Sequence, residues 1–383
     1  MKQYLLIVSV CLVAACGQPG KPSGNPVAGT GAAGNYVAAD TTTAYAKGFS
    51  IKHHDGYTVV EVSDPWDTTR LLQRYVLVDR NKPLPSGLPR GAVVRTPLRN
   101  VVVYTSVHAS IIEELGEAGS IAGVCEAQYI NSPALKARID DGRIASLGMS
   151  TAPNIEKMIE IGAECIIASP FQNTGYGQAG KLGIPIIEAA DYMEPHPLGR
   201  AEWGLFYGLL FGREDEAAAI FSSTEESYLA LCDLALTADG RPTVISEKRY
   251  GSFWYVPEGD SYMAHFFRDA GAEYVFGHIP GEGSSPLVFE TVLDRAGGAG
   301  FWLIKYNREG EMSYKDLKAE YSPYAYFDAF KKRSIYTCNT NYTPYYEETP
   351  MHPDYLLKDL IWIFHPDLLP YYTPRYYRKM ADN

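Results

Sequence analysis

The chain of 383 residues lacks any apolar run long enough to cross a bilayer, which takes about 20 residues. Cysteine is scarce, at six, and no two are spaced as C-x-x-C. Zinc-ribbon and thioredoxin-type readings therefore have no support. Positive charge is also short. Lys and Arg number 34 against 45 Asp and Glu, for a net charge of −11. That balance argues against a nucleic-acid partner. Catalytic signatures are missing too. No G-x-S-x-G occurs, and Gly259-Asp260-Ser261-Tyr262 reads as a turn with Ser261 capping a helix rather than as a serine-hydrolase nucleophile. The eight histidines contain no H-x-x-x-H pair. His108 is the candidate considered for direct zinc or manganese binding, against which stand His196, His352 and His365, each before proline, and His53 and His54, which flank a turn.

What is present begins at the N-terminus. Lys2 is followed by "YLLIVSVCLVAA" and then Cys16. A charged start, a short apolar run and small residues before the cleavage point read as a signal peptide over residues 1–15. The Cys16 position resembles a bacterial lipobox and implies lipidation there. Residues 16–35 are mostly Gly, Pro, Ser and Ala, so they read as a flexible tether. The expectation is a periplasmic protein, lipid-anchored to a bacterial membrane. Cys125 and Cys165 lie in apolar runs and read as buried free thiols.

The rest is written twice. "TAPNIEKMI" at 151–159 echoes "SPLVFETVL" at 285–293, and each is followed by a short apolar run, "CIIAS" or "FWLIK". Upstream, "RNVVVY" at 99–104 matches "RPTVIS" at 241–246, each a basic residue before a strand-like run. Strands alternating with helices predict βαβ units and parallel sheets. The fold class is thus α/β, with two similar lobes of parallel-rich sheets joined by one long helix. A small β extension precedes them, signalled by the Asp55-Gly56 hairpin turn. The expected boundaries are 36–98 for the extension, 99–197 for the N-terminal lobe, 198–237 for the interlobe helical segment and 238–383 for the C-terminal lobe. Within the interlobe segment, "GRAEWGLFYGLLF" reads as one helix ending near Gly212, and "REDEAAAIFSSTEESYLALCDLAL" as a single stiff one.

Four stretches together resemble a known family. They are "VVVYTSVHASIIEELGEAG", "APNIEKMIEIGAECIIAS", "WGLFYGLLFGREDEAAA" and the C-terminal "HPDLL". Their order resembles the class III substrate-binding proteins of ABC importers, which take vitamin B12, ferric siderophores or haem. The resemblance implies a non-enzymatic monomer without a cofactor. Its partners would be a metal-chelate ligand (ferric siderophore first, then cobalamin or haem) and the importer's permease. It would meet the membrane through its lipid anchor alone. It also implies that the echoed Glu156 and Glu290, one per lobe, dock on permease arginines. Where the family often carries a first-helix glutamate, this chain has Ser110.

Ligands of open parallel sheets bind beyond the carboxyl ends of the strands. In the first lobe that position falls to Tyr104, Ser106 and His108, then Phe171, Gln172 and Tyr176, then Tyr192. In the second it falls to Arg249, Tyr250, Phe253, Trp254 and Tyr255, then Lys305 and Tyr306. Aromatic faces suit the edge of a catecholate, corrin or porphyrin, and Arg249 and Lys305 suit an anionic chelate. Tyrosine is abundant, at 29, with late clusters such as "YTPYYEE" that read partly as packing and partly as the lining of a site.

Overall fold

A computed structural model describes residues 43–382. The expected signal peptide, Cys16 and the tether therefore lie outside the described residues.

The chain first builds a four-stranded sheet from β1 (Phe49–His54), β2 (Tyr57–Ser63), β3 (Leu71–Asp79) and β4 (Ala92–Thr96). The β1–β2 hairpin turns at Asp55-Gly56, where Gly56 takes φ +82°, a backbone state that favours glycine. One buried side chain ties this sheet to the first lobe. The Tyr75 hydroxyl donates to the Ile186 carbonyl at 3.0 Å and accepts from the Glu188 N–H at 2.7 Å. It thereby satisfies two backbone groups of an edge strand that would otherwise stand open. Ahead of the sheet, two carboxylates clasp residues 44–48. Glu202 accepts the N–H groups of Ala44, Tyr45 and Ala46 at 2.7–2.8 Å, and Glu194 accepts those of Lys47 and Gly48.

In the first lobe β5 (Val101–Val103), β6 (Ile121–Val124), β7 (Ala145–Ser146), β10 (Cys165–Ala168) and β11 (Ile186–Glu188) form an all-parallel sheet in the order β11-β10-β5-β6-β7. A small hairpin, β8 (Gly148–Met149) with β9 (Ala152–Pro153), stands beside it. Helices α1 (Ser106–Glu114), α2 (Pro133–Asp140) and α3 (Ile155–Glu160) make the connections. Cys125 and Cys165 are buried free thiols, as their apolar runs predict.

Three helices lead onward: α4 (Pro197–Glu202), α5 (Gly204–Phe211) and α6 (Glu214–Leu236). The expected single helix over "GRAEWGLFYGLLF" is broken at Trp203. The interruption is one residue long and its backbone stays right-handed helical, while the Trp203 indole is fully buried and donates to Glu194 Oε1 at 3.0 Å. The long helix is continuous over 23 residues, with Glu214, Asp215 and Glu216 in its first turn, where the helix dipole favours acid.

The second lobe sets β12 (Thr243–Ser246), β15 (Glu273–Tyr274), β17 (Phe301–Tyr306), β18 (Ile335–Asn339) and β19 (Arg378–Lys379) in the order β15-β12-β17-β18-β19, with β19 antiparallel. A separate antiparallel sheet joins β13 (Arg249–Tyr250), β14 (Phe253–Pro257) and β16 (Ser284–Leu287). Helices α7 (Tyr262–Asp269), α8 (Phe289–Ala296), α9 (Tyr314–Glu320), α10 (Asp328–Lys331), α11 (Tyr345–Glu348) and α12 (Pro353–Phe364) surround these. Ser261 caps α7 by accepting the Ala264 N–H, as expected of that turn. The lobes match strand for strand, β5 with β12 and β10 with β17. They differ at the edges, where β7 and β19 have no counterpart. The terminal "HPDLL" forms a short 3₁₀ turn after α12 instead of extending it, because Pro366 disfavours helical backbone at His365.

Candidate functional site

The carboxyl ends of four parallel strands meet between the lobes. Ser106 follows β5 and Gln128, Tyr129 and Asn131 follow β6. Opposite them, Tyr306 and Asn307 close β17 and Asn341 follows β18. Together they line a groove of about 500 Å³. The chain crosses the lobe boundary here with a hydrogen bond, from the Asn131 N–H to Glu347 Oε1 at 2.7 Å. A second hollow of about 460 Å³ belongs to the C-terminal lobe alone. Glu247, Tyr250, Tyr255, Tyr262 and Met263 are among its walls.

Of the residues expected at the strand ends, the groove and the hollow bring together Ser106 and Tyr306 in one and Tyr250 and Tyr255 in the other. Tyr250 is 82% exposed, while Tyr306 is largely buried at the groove wall and its hydroxyl donates to Glu311 at 2.7 Å. The other positions behave differently, and each has a physical reason.

The stretch around His108 is not a loop. Thr105 caps α1 by accepting the His108 N–H, so Ser106 and His108 lie in the first helical turn. That turns His108 into the core, where it is fully buried between the Tyr207 hydroxyl at 2.6 Å and Ser169 Oγ at 3.2 Å. Burial pushes its pKa down to about 4, so it is a neutral packing residue. Trp254 is likewise fully buried, correcting its place among the ligand contacts. The expected loop is in fact β13 and β14, and its alternation sends Phe253 and Tyr255 outward and Trp254 inward. The Trp254 indole stacks on Trp302 at 5.3 Å and donates to the Ser246 carbonyl at 2.9 Å.

Tyr104 is nearly buried, with its hydroxyl unpartnered among the described residues, and burial pushes its pKa up to about 12. Tyr176 donates to Glu188 Oε1 at 3.1 Å and Tyr192 to the Pro170 carbonyl at 2.5 Å. Phe171 and Gln172 line neither the groove nor the hollow. They face Trp66 and Arg70 of the extension across a third depression of about 520 Å³.

The expected cations are occupied. Arg249 lies 3.9 Å over the Tyr321 ring. The Lys305 ammonium is paired with Glu247; burial opposes its charge, and the Glu247 carboxylate outweighs that and holds it protonated. Glu247 itself has φ +65°, a strained state for a side-chain-bearing residue, fixed by the Trp302 indole donating to its carbonyl at 2.7 Å. Among the described residues no group of three or more His, Cys, Asp or Glu is gathered to hold a metal ion.

The groove residues missed by the sequence reading are Gln128, Tyr129 and Asn131 after β6, Asn307 after β17 and the segment after β18, Thr340 to Glu347. The cluster "YTPYYEE" was its signal. Tyr345 is buried in the lobe core, while Tyr346 and Glu347 reach the groove.

The echoed glutamates occupy equivalent places. Each is the second residue of a helix that follows a short strand, Glu156 in α3 after β9 and Glu290 in α8 after β16. Both are exposed, and among the described residues neither forms an ion pair.

Comparison with known proteins agrees with this architecture. An uncharacterized lipoprotein of Methanocaldococcus jannaschii is 26% identical over 317 residues, covering 77% of this chain and 73% of the relative. A periplasmic heme-binding protein from Pseudomonas aeruginosa superposes with a TM-score of 0.57 at 16% identity, over 74% of this chain and 99% of the other. An ABC-type Fe3+-hydroxamate transport protein from Saccharomonospora viridis gives 0.54 at 17%, over 70% and 94%. The pattern of the periplasmic binding protein family matches residues 101–342, from the first lobe through the connecting helix to just past β18 of the second lobe. The chain therefore belongs to the periplasmic binding protein family, whose members bind solutes and are not enzymes.

Proposed function

We propose that the protein is an extracytoplasmic, lipid-anchored carrier that captures a metal chelate of the ferric-siderophore class between its lobes and delivers it to an ABC importer. The observation that carries this reading is the interlobe groove. It is walled by strand ends of both lobes and lined by tyrosines, neutral polar groups and one acid, Glu347, which suits a large, partly apolar ligand. Solved relatives named for heme and Fe3+-hydroxamate share the fold and support the ligand class. The lipoprotein relative and the lipobox at Cys16 support the anchor. Cobalamin or haem are the neighbouring alternatives within the same fold.

Delivery falls to Glu156 and Glu290. A binder with two similar lobes must sit in register on a two-fold symmetric permease, and one exposed carboxylate per lobe sets that register against arginines. The long α6 helix between the lobes implies small closure, so docking geometry rather than a large hinge motion would report the loaded state.

The reading is tested by native mass spectrometry of the protein purified from its own host, with metal analysis of the same sample. A bound species of chelate mass carrying one metal is expected. A bound organic solute without metal would overturn the chelate assignment.

A further inference from the structure

The groove has a charge pattern that the proposed function does not itself specify. The basic side chains at the strand ends of the C-terminal lobe are engaged within that lobe. Lys305 pairs with Glu247, Lys248 with Glu320 at 2.5 Å and Arg308 with Asp316 at 2.7 Å, while Arg249 lies over Tyr321. The groove itself has one charged residue in its wall, Glu347. An adjoining depression of about 490 Å³ shares Asn131, Asn341 and Glu347 with it and adds Glu113, Glu348 and Lys136, an excess of acid.

Glu347 is only 5% exposed. Its Oε1 accepts the Asn131 N–H from the opposite lobe, and its Oε2 has no hydrogen-bond partner among the described residues. A buried carboxylate oxygen without a donor is costly, and a ligand N–H reaching it removes that cost. Around it stand Gln128, Asn307, Thr340 and Asn341, which exchange hydrogen bonds with amides and carry no charge. An anionic ligand would meet a buried carboxylate and no free cation in the groove wall, an arrangement that repels it.

We propose that the groove selects an uncharged chelate bearing amide N–H groups, and that Glu347 accepts one of them. This rests on the chelate-binding reading and sets its charge class. Uncharged ferric trihydroxamates built on a cyclic peptide and amide-rich corrinoids share this chemistry. Ferric triscatecholates, which are trianions, do not.

The test is calorimetric titration of the protein with ferrichrome, cyanocobalamin and ferric enterobactin. Ferrichrome or cyanocobalamin should bind at least about 100-fold more tightly than ferric enterobactin, and which of the two binds separates the two sources of amide chemistry. Glu347→Gln keeps an oxygen for the Asn131 N–H and replaces the free one by a donor. It should weaken the preferred probe about tenfold without moving the thermal unfolding midpoint. If Glu347→Gln does not fold, Asn341→Ala on the exposed rim should weaken the same probe about threefold. Tighter binding of ferric enterobactin, or unchanged affinity in the folded variant, would overturn this inference and leave chelate binding standing. Failure of all three probes would remove the chelate reading itself.

Discussion

At the residue scale, neighbouring side chains on one strand have opposite roles. Trp254 faces the core and touches Trp302, Tyr324 and Phe327, whereas Tyr255 faces the hollow. Trp254→Ala should therefore cost about 3–5 kcal/mol of folding stability by leaving a cavity. Tyr255→Ala should stay within about 0.5 kcal/mol of the parent in urea denaturation. Equal stability losses in both would contradict the assigned faces. His108 gives a pH prediction. In the folded chain its pKa is lowered to about 4 by burial, against 6.5 for the free side chain. As pH falls from 6.5, the unfolded chain takes up this proton and the folded chain does not. Its neutral burial is thus a stability contribution lost between about pH 6.5 and 4, worth at most about 3 kcal/mol. His108→Gln should flatten the decline of stability over that window, measured by urea denaturation at several pH values. A slope identical to the parent's would mean that His108 titrates freely.

At the element scale, the two carboxylates that hold residues 44–48 decide how the chain enters the fold. Glu202 alone receives three backbone N–H groups. Glu202→Ala orphans those donors and should destabilise the protein by about 2–4 kcal/mol, with faster proteolysis ahead of β1 as the readout. Unchanged protection would show that Glu194, with the Tyr45 hydroxyl on Glu225 at 2.6 Å, holds the segment without Glu202. This clasp was not legible in the sequence, since it links acids more than 140 positions away to backbone groups that carry no residue signal. The duplicated units were legible, because β-branched runs and helical periodicity recur in the same order. The α4–α5 break was not, because it is an interruption of one residue, Trp203, whose backbone stays right-handed helical. The β13–β14 hairpin stood between. Its alternation was readable in "SFWYVP", yet a long polar stretch after a parallel strand looks like a loop until β16 is known to pair with it.

At the scale of the whole molecule, the proposed carrier rests on two like lobes with one exposed carboxylate each, Glu156 and Glu290. The strand-end rule reached two of the groove's residues, Ser106 and Tyr306, because topology alone fixes where parallel strands terminate. It overcounted residues because topology does not say which side chains turn inward, as His108 and Trp254 do. The most direct measurement is uptake of an iron-55-labelled chelate into proteoliposomes bearing the cognate permease, run beside a binding titration. The protein should drive uptake, and Glu156→Ala with Glu290→Ala should bind the chelate as the parent does while losing most of that transport, each single variant being partly and similarly impaired. Normal uptake by the double variant would contradict the docking of the two lobes, and uptake independent of the protein would contradict its role as a carrier.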